Sequence, residues 1–257
     1  MREKIRLFGH LVIHDLRLRY AGSIGGCLWA FAMPAMTLLI FRVVFAEGFR
    51  NPPVRQVPYF LWFAAAYIPW AFFSDALTQG CGALLQYSAL VKKMNFPVHL
   101  LPAVKAAGSF AVHLVFMLIL VFAAAGEESA LRPDAIQLVY YETAGFCLAL
   151  ACCYLLGAVT VFFRDNLSLT GLLLQAGFWT TPIVWDLEEL PLGPVRAVLE
   201  KNPLCYITEG CRDSLFGGPA FWKLPDRGLW FWGICAAVWM AAAAVFWRLR
   251  PYFADEL

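Results

Sequence analysis

Residues Leu101 to Ala125 read LPAVKAAGSFAVHLVFMLILVFAAA, a stretch in which Lys105 and His113 are the only ionisable side chains. A helix crossing a bilayer needs about 20 mostly apolar residues, and this stretch supplies them. Working outward, six such windows are found: Ile24 to Phe45, Tyr59 to Leu77, Leu101 to Ala125, Ile136 to Phe163, Leu167 to Trp185 and Leu229 to Trp247. Composition agrees, with 61% apolar and 15% charged residues and a mean hydropathy of +0.65, where a soluble domain is nearer half and a quarter. The pattern predicts an all-α integral membrane protein with six transmembrane helices. The net charge of +2 and the lack of basic runs interleaved with aromatics exclude a nucleic-acid partner.

Orientation follows from lysines and arginines in the short flanks, which stay on the cytoplasmic side. Both termini then lie inside, with Arg2, Lys4, Arg6, Arg17, Arg19, Lys92, Lys93, Lys105, Arg164, Arg248 and Arg250. The outer side collects Glu127, Glu128, Asp134, Asp186, Glu188 and Glu189. Ionisable groups inside the windows are costly in lipid. Arg42, Asp75 and Glu142 all fall near window ends and are read as reaching an interface, and His113 as bonding a neighbouring helix.

His10, His14, Asp15, Arg17 and Arg19 interrupt what a cleaved signal would need as its apolar core. Read as a helix, the first 22 residues place Ile5, Phe8, Val12 and Leu16 on one stripe, with Arg2, Arg6, His10 and Arg17 mostly across from it. That is a cytoplasmic interfacial helix, serving either as a lipid anchor or in docking a partner.

Chemistry-bearing motifs are absent: no G-x-x-x-x-G-K-[ST], no H-E-x-x-H and no G-x-S-x-G. Six of the eight cysteines lie in or beside apolar windows as small hydrophobes. Cys205 and Cys211, six apart on one helix, would sit about 240° and roughly 9 Å from each other, beyond disulfide reach. No metal spacing is present, and the chain is read as neither an enzyme nor a cofactor carrier.

Between the last two windows, residues 186–228 read as an external helical segment of short re-entrant or interfacial helices. Pro194 follows Gly193, and Asn202-Pro203 opens a helix that Gly217-Gly218 stops. On the inner side Asp165 is placed to cap the fifth window, and Arg164 obeys the inside-positive bias. LVKKMNFPVHLLP, Leu90 to Pro102, sets two lysines among apolar residues; Ala83 to Asn95 is expected to form a short cytoplasmic helix that Phe96-Pro97 ends.

In order along the chain, LRLRYAGSIGGCLWAFAMPAMTLLIF, PWAFFSDAL, LVKKMNFPVHLLP, VFFRDN, FWTTPIV and NPLCYITEGCRD resemble the membrane subunit of ABC-2 type polysaccharide exporters, the O-antigen, teichoic-acid and capsule permeases. RYAGSIGGCLWAF and FFRDN are nearer the O-antigen and teichoic-acid branch. One departure is Gly25-Gly26-Cys27 before Trp29, where bulkier residues are common. The resemblance implies one domain over residues 1–257, working as a homodimer in the bacterial inner membrane with two copies of an ATPase chain that holds ATP and Mg. The cargo it implies is a lipid-linked polysaccharide. It assigns coupling to residues 83–98, through Leu90, Val91, Lys92, Lys93, Met94 and Phe96, and the translocation path to Trp29, Phe31, Phe41, Phe178 and Trp179. Arg164 and Asp165 form a cytoplasmic turn, read as structural and set against direct ATPase contact. Two other classes compete: an ion-coupled secondary carrier, which would need no ATPase, and a membrane-embedded glycan enzyme, which would turn over alone.

Overall fold

The computed structural model describes residues 2–19, 23–92, 96–126 and 134–257. The chain folds into helices named here in order: α1 Arg2–Arg19, α2 Leu28–Arg42, α3 Tyr59–Cys81, α4 Ala83–Gln86, α5 Ser88–Val91, α6 Leu100–Ala125, α7 Ala135–Phe162, α8 Asn166–Thr180, α9 Pro194–Glu200, α10 Pro203–Phe216, α11 Pro225–Leu249 and α12 Phe253–Glu256. Among the described residues, five helical stretches are long and apolar enough to cross a membrane: Leu28–Phe45, α3, α6, Ile136–Phe162 and Pro225–Glu256. Glu127 and Glu128 lie outside the described residues.

The fifth window gives a shorter helix than its apolar run suggested. α8 has 15 residues, about 22 Å at 1.5 Å per residue and short of a core of about 30 Å. It stops because Thr181 precedes Pro182, whose ring disfavours helical geometry at the residue before it, and Thr181 is extended (φ −97°, ψ 136°). The chain then turns back beneath α10. Past the break no helix supplies partners for the carbonyls of the turn itself, and Arg212 of α10 takes that part. It donates to the carbonyls of Pro182 (2.7 Å), Ile183 (2.8 Å) and Trp62 (3.0 Å). Its guanidinium lies 3.4 Å from the Trp62 ring centroid and pairs with Glu209 at 2.5 Å.

α3 is the hub. Alanines and aromatics alternate along it, and 16 of its 23 residues are buried, chiefly against α6, α7 and α10. On its terminal half the contact with α7 is backbone to backbone: a Cβ at Gly157 would come within 2.9 Å of the Gly80 carbonyl, so small residues let the helices touch. α2 is the opposite case, with Ala30 its one buried residue. It leans on α3 through Phe41, whose ring centroid is 4.7 Å from that of Phe63, and it widens past Arg42 into a π-turn over Val43–Gly48. Gly26 is left-handed (φ +48°), and a side chain at Gly25 would strike the Trp29 indole. Gly26 is therefore required by its backbone angle at the entry into α2, and Gly25 makes room for the Trp29 indole beside it.

Several local readings stand. Asn202 caps α10 by accepting from the Leu204 amide at 2.9 Å, and Gly217 closes it in the left-handed region (φ 82°). Cys205 and Cys211 are free thiols. His113 does bond its neighbours, approaching the Ile68 carbonyl at 3.3 Å.

Others are corrected. Glu142 reaches no interface: it turns inward and pairs with His113, placing an ionisable pair in the interior where none was expected. Asp165 makes no side-chain cap, because its backbone is already helical (φ −64°, ψ −15°) while a capping residue needs extended geometry. The next residue, Asn166, is buried and ties the turn to α7 instead, donating to Thr160 Oγ1 (2.8 Å) and the Leu156 carbonyl (3.3 Å). The helix expected over Ala83 to Asn95 is two single turns, α4 and α5, split at Tyr87 (φ −104°, ψ 25°); Lys93, Met94 and Asn95 lie outside the described residues.

On the opposite face, Val54 and Val57 exchange backbone hydrogen bonds around Arg55 and Gln56, both left-handed (φ 51° and 67°). This is a type I′ turn without glycine. Arg55 is tied to Asp186 at 3.0 Å and Glu188 at 3.2 Å; burial alone would depress its pKa, but Asp186 and Glu209 outweigh that and raise it.

Arg212→Met should destabilise the detergent-solubilised chain by about 3–5 kcal/mol, since it strands the Pro182 and Ile183 carbonyls and Glu209 together. A melting temperature within error of the parent would remove Arg212 from this role. Arg212→Lys should recover little, because one ammonium cannot span the three carbonyls.

Candidate functional site

The terminal face, which carries both chain ends, brings α1 and the α4–α5 segment together. Phe8, Val12 and Leu16 do face inward as their spacing predicts, but the centre of that stripe is Asp15, 0% exposed. Asp15 Oδ2 accepts from Arg19 Nε at 2.8 Å. Asp15 Oδ1 accepts from the Tyr87 hydroxyl at 2.8 Å and pairs with Lys105 Nζ at 2.5 Å. Lys105 also donates to Gln86 Oε1. Arg19 reaches on to the Lys105 carbonyl at 3.0 Å and to Asp75 at 3.3 Å, and Ser109 donates to Asp75. One buried network thus joins α1, α3, α4, α6 and the Tyr87 break.

The electrostatics are self-consistent. Burial pushes the Asp15 carboxyl up, but Arg19 and Lys105 beside it and the Tyr87 hydroxyl outweigh that and hold it below the usual carboxylate range. Burial and the same carboxylate push the Tyr87 phenol up, so it stays a donor.

The assigned coupling residues divide by what they touch. Val91 is buried with Leu84, Val98 and Leu101 against Phe246 and Phe253, and Phe96 packs on the same cluster. These two anchor the segment to the bundle. Leu90 is half-buried and Lys92 exposed; Lys93 and Met94 are outside the described residues. Arg164 and Asp165 are exposed in the α7–α8 turn, with no side-chain ion pair among the described residues.

The five aromatics assigned to the path divide into two open indoles and three rings packed on one core cluster. Trp29 (47% exposed) and Trp179 (63% exposed) are open. Phe31 packs on Phe116, Phe41 on Phe63 and Tyr67, and Phe178 edge-on against Trp70. Sequence reasoning missed the Asp15 network. The available signals were the Asp15–Arg19 spacing of one helical turn and a lysine inside an apolar window, which needs a partner. Among the described residues no group of three or more acidic, histidine or cysteine side chains is arranged to hold a metal.

The ABC-2 type transporter family model matches residues 6–216. Among curated proteins, the O-antigen export system permease protein RfbA of Myxococcus xanthus is 27% identical over 253 residues, covering 96% of this chain and 94% of that protein. The protein of the same name from Klebsiella pneumoniae is 24% identical over 258 residues, covering 98% and 96%.

Asp15→Asn should loosen α1 from α6 while leaving the spans inserted, seen as faster proteolysis of the first 20 or so residues in vesicles open to protease. Because the folded pKa of Asp15 is depressed, its contribution is present above the unfolded value near 3.8 and fades only as pH falls below it. Parent and variant should therefore differ from pH 8 down to about 5 and converge in stronger acid; equal protection at pH 7 would dissolve the assigned tie.

Proposed function

Because this chain belongs to the ABC-2 type transporter family, we propose that it is the permease subunit of an ATP-driven exporter of lipid-linked, O-antigen-like polysaccharide. In this reading it sits in the bacterial inner membrane as a homodimer with both termini cytoplasmic, and the terminal face is the cytoplasmic one. Two copies of a separate ATPase chain carry ATP and Mg. α8 and the turn beneath α10 together make the sixth crossing. Curated relatives named as O-antigen export permeases along nearly the whole chain support the cargo class; teichoic acid or capsule is the alternative within the same family.

The observation that carries the reading is the seating of the α4–α5 segment. A partner that closes on nucleotide can move the spans only through an element too stiff to absorb the motion. Here Tyr87 and Gln86 are hydrogen-bonded into the Asp15–Lys105 pair, and Val91 is fixed against the C-terminal helices. A push on residues 90–98 is thereby delivered to α1, α3 and α6 together. The His113–Glu142 pair is the one feature that favours an ion-coupled carrier, since such proteins keep ionisable groups within their spans. Each member satisfies the other, so we hold to the ATP-driven reading. Purification in mild detergent separates the two: the exporter brings down an ATPase whose hydrolysis depends on this chain, and the carrier does not.

Met94→Asp or Phe96→Asp should cut surface glycan at least tenfold, a factor of about 1.4 kcal/mol at the contact, with the chain still inserted. Cysteines at positions 90, 92 and 94 should cross-link to the ATPase; adducts only to lipid or to this same chain would end the coupling role.

The packing sorts the path residues as well. Trp29→Ala with Trp179→Ala should lower export without disturbing assembly, whereas alanine at Phe31, Phe41 or Phe178 should first cost stability, about 2–4 kcal/mol each for a partly buried ring. Normal export by a well-expressed Trp29/Trp179 double variant would return both indoles to lipid contact.

A further inference from the structure

Between α10 and the start of α11, on the face opposite the termini, lies a cavity of about 350 Å³ that the export reading does not use. Its charged groups fall into two sets. Glu209 is committed to Arg212 at 2.5 Å and Glu200 to Arg196 at 2.9 Å. Asp213, Asp226 and Arg227 also line the cavity, and among the described residues their side chains have no hydrogen bond or ion pair. Lys201 sits over the Trp230 ring, 5.6 Å from its centroid, with its three donors uncommitted. The site thus offers two carboxylates and two cations left over, balanced in sign.

Several classes of ligand fit poorly. An anionic headgroup would leave both carboxylates unanswered. A quaternary ammonium needs open aromatic faces, but Tyr206 stacks on Phe231 (4.9 Å) and meets Tyr141 edge-on (5.1 Å). A sugar ring would find only Trp230, one side of which holds Lys201. A primary ammonium with three donors, joined to a phosphate, answers both pairs. The residues next in sequence to the lining residues Ala197 and Trp230 are apolar and open, Val198 70% and Leu229 73% exposed, as acyl chains beside a bound headgroup would require.

We propose that this cavity binds the headgroup of a zwitterionic membrane phospholipid bearing a primary ammonium, with phosphate at Arg227 and Lys201 and the ammonium at Asp213 and Asp226. The charge state supports it: burial, with Glu209 nearby, pushes the Asp213 carboxyl up to about 7, a cost that a cation relieves. The site would hold α10 against α11 from the lipid side, whatever the cargo.

The test uses the full chain in nanodiscs of equimolar dioleoyl phosphatidylethanolamine, phosphatidylcholine and phosphatidylglycerol, re-extracted gently and weighed intact by native mass spectrometry. Phosphatidylethanolamine should be retained roughly tenfold over the other two, about 1.4 kcal/mol of preference. Asp213→Asn with Asp226→Asn should bring retention to parity. Should that pair misfold, the exposed single change Arg227→Gln should still reduce it severalfold with an unchanged melting temperature. Parity in the parent, retained phosphatidylglycerol, or enrichment undiminished in Arg227→Gln would overturn the proposal. Equal competition by soluble phosphoethanolamine would overturn the lipid assignment, and displacement by a methyl hexoside would reassign the cavity to glycan. Because no arm reads transport, a failure here is distinct from a failure of the export reading.

Discussion

A helix that breaks inside a packed bundle must find its hydrogen-bond partners within the protein, and Arg212 is how this chain meets that demand. Past the Thr181-Pro182 break no helix supplies partners for the carbonyls of Pro182 and Ile183. A single guanidinium held on the Trp62 ring collects the carbonyls of Trp62, Pro182 and Ile183, and so welds α3, the end of α8 and α10 into one body. Without that partner α8 would have to continue or the turn would have to be expelled to the interface.

The terminal face solves a related problem with the opposite sign of central charge. There an aspartate is fully buried and two cations are brought to it, one from its own helix and one from α6. Buried pairs of this kind seldom add much net stability, because desolvation offsets the attraction. Their value lies in geometry: Asp15 accepts from three elements at once, and none of them can shift without leaving a charge unpaired. That turns a surface helix and two single helical turns into a rigid block.

Much of the fold was legible because lipid imposes length and polarity on every span. Five of the six windows recur as long helices, with ends moved by a few residues. The caps at Asn202 and Gly217 were legible because they rest on local backbone chemistry. What could not be read depended on which way a side chain points or on partners far along the chain. Asp165 had the right residue type and the wrong backbone angles. Glu142 looked free to reach an interface because nothing in a linear reading says that His113, 29 positions earlier, faces it. Lys105 counted as a flanking charge when it is the most buried lysine described. The aromatics were visible as a class, but their division into packed rings and open ones needed the neighbours in place. The shortness of α8 was readable, since Thr181-Pro182 is a stop signal, yet the apolar run around it masked the break.

α2 buries less than α3, α6 and α11, with Ala30 its one fully buried residue and a single edge of Phe31, Leu38 and Phe41 packed on the bundle. Its apolar window, Leu28–Phe45, has 18 residues, about 27 Å of helix set against a hydrocarbon core of about 30 Å. It enters from a left-handed glycine and leaves through a π-turn, both of which can open or tighten without breaking its central hydrogen bonds. Hydrophobic mismatch therefore falls on this helix first: a thicker bilayer is met by straightening α2 and stretching the π-turn, a thinner one by tilting it, while α3, walled in by α6 and α7, hardly registers the change. The surrounding lipid thickness becomes a mechanical setting for the span that the described bundle holds by a single edge.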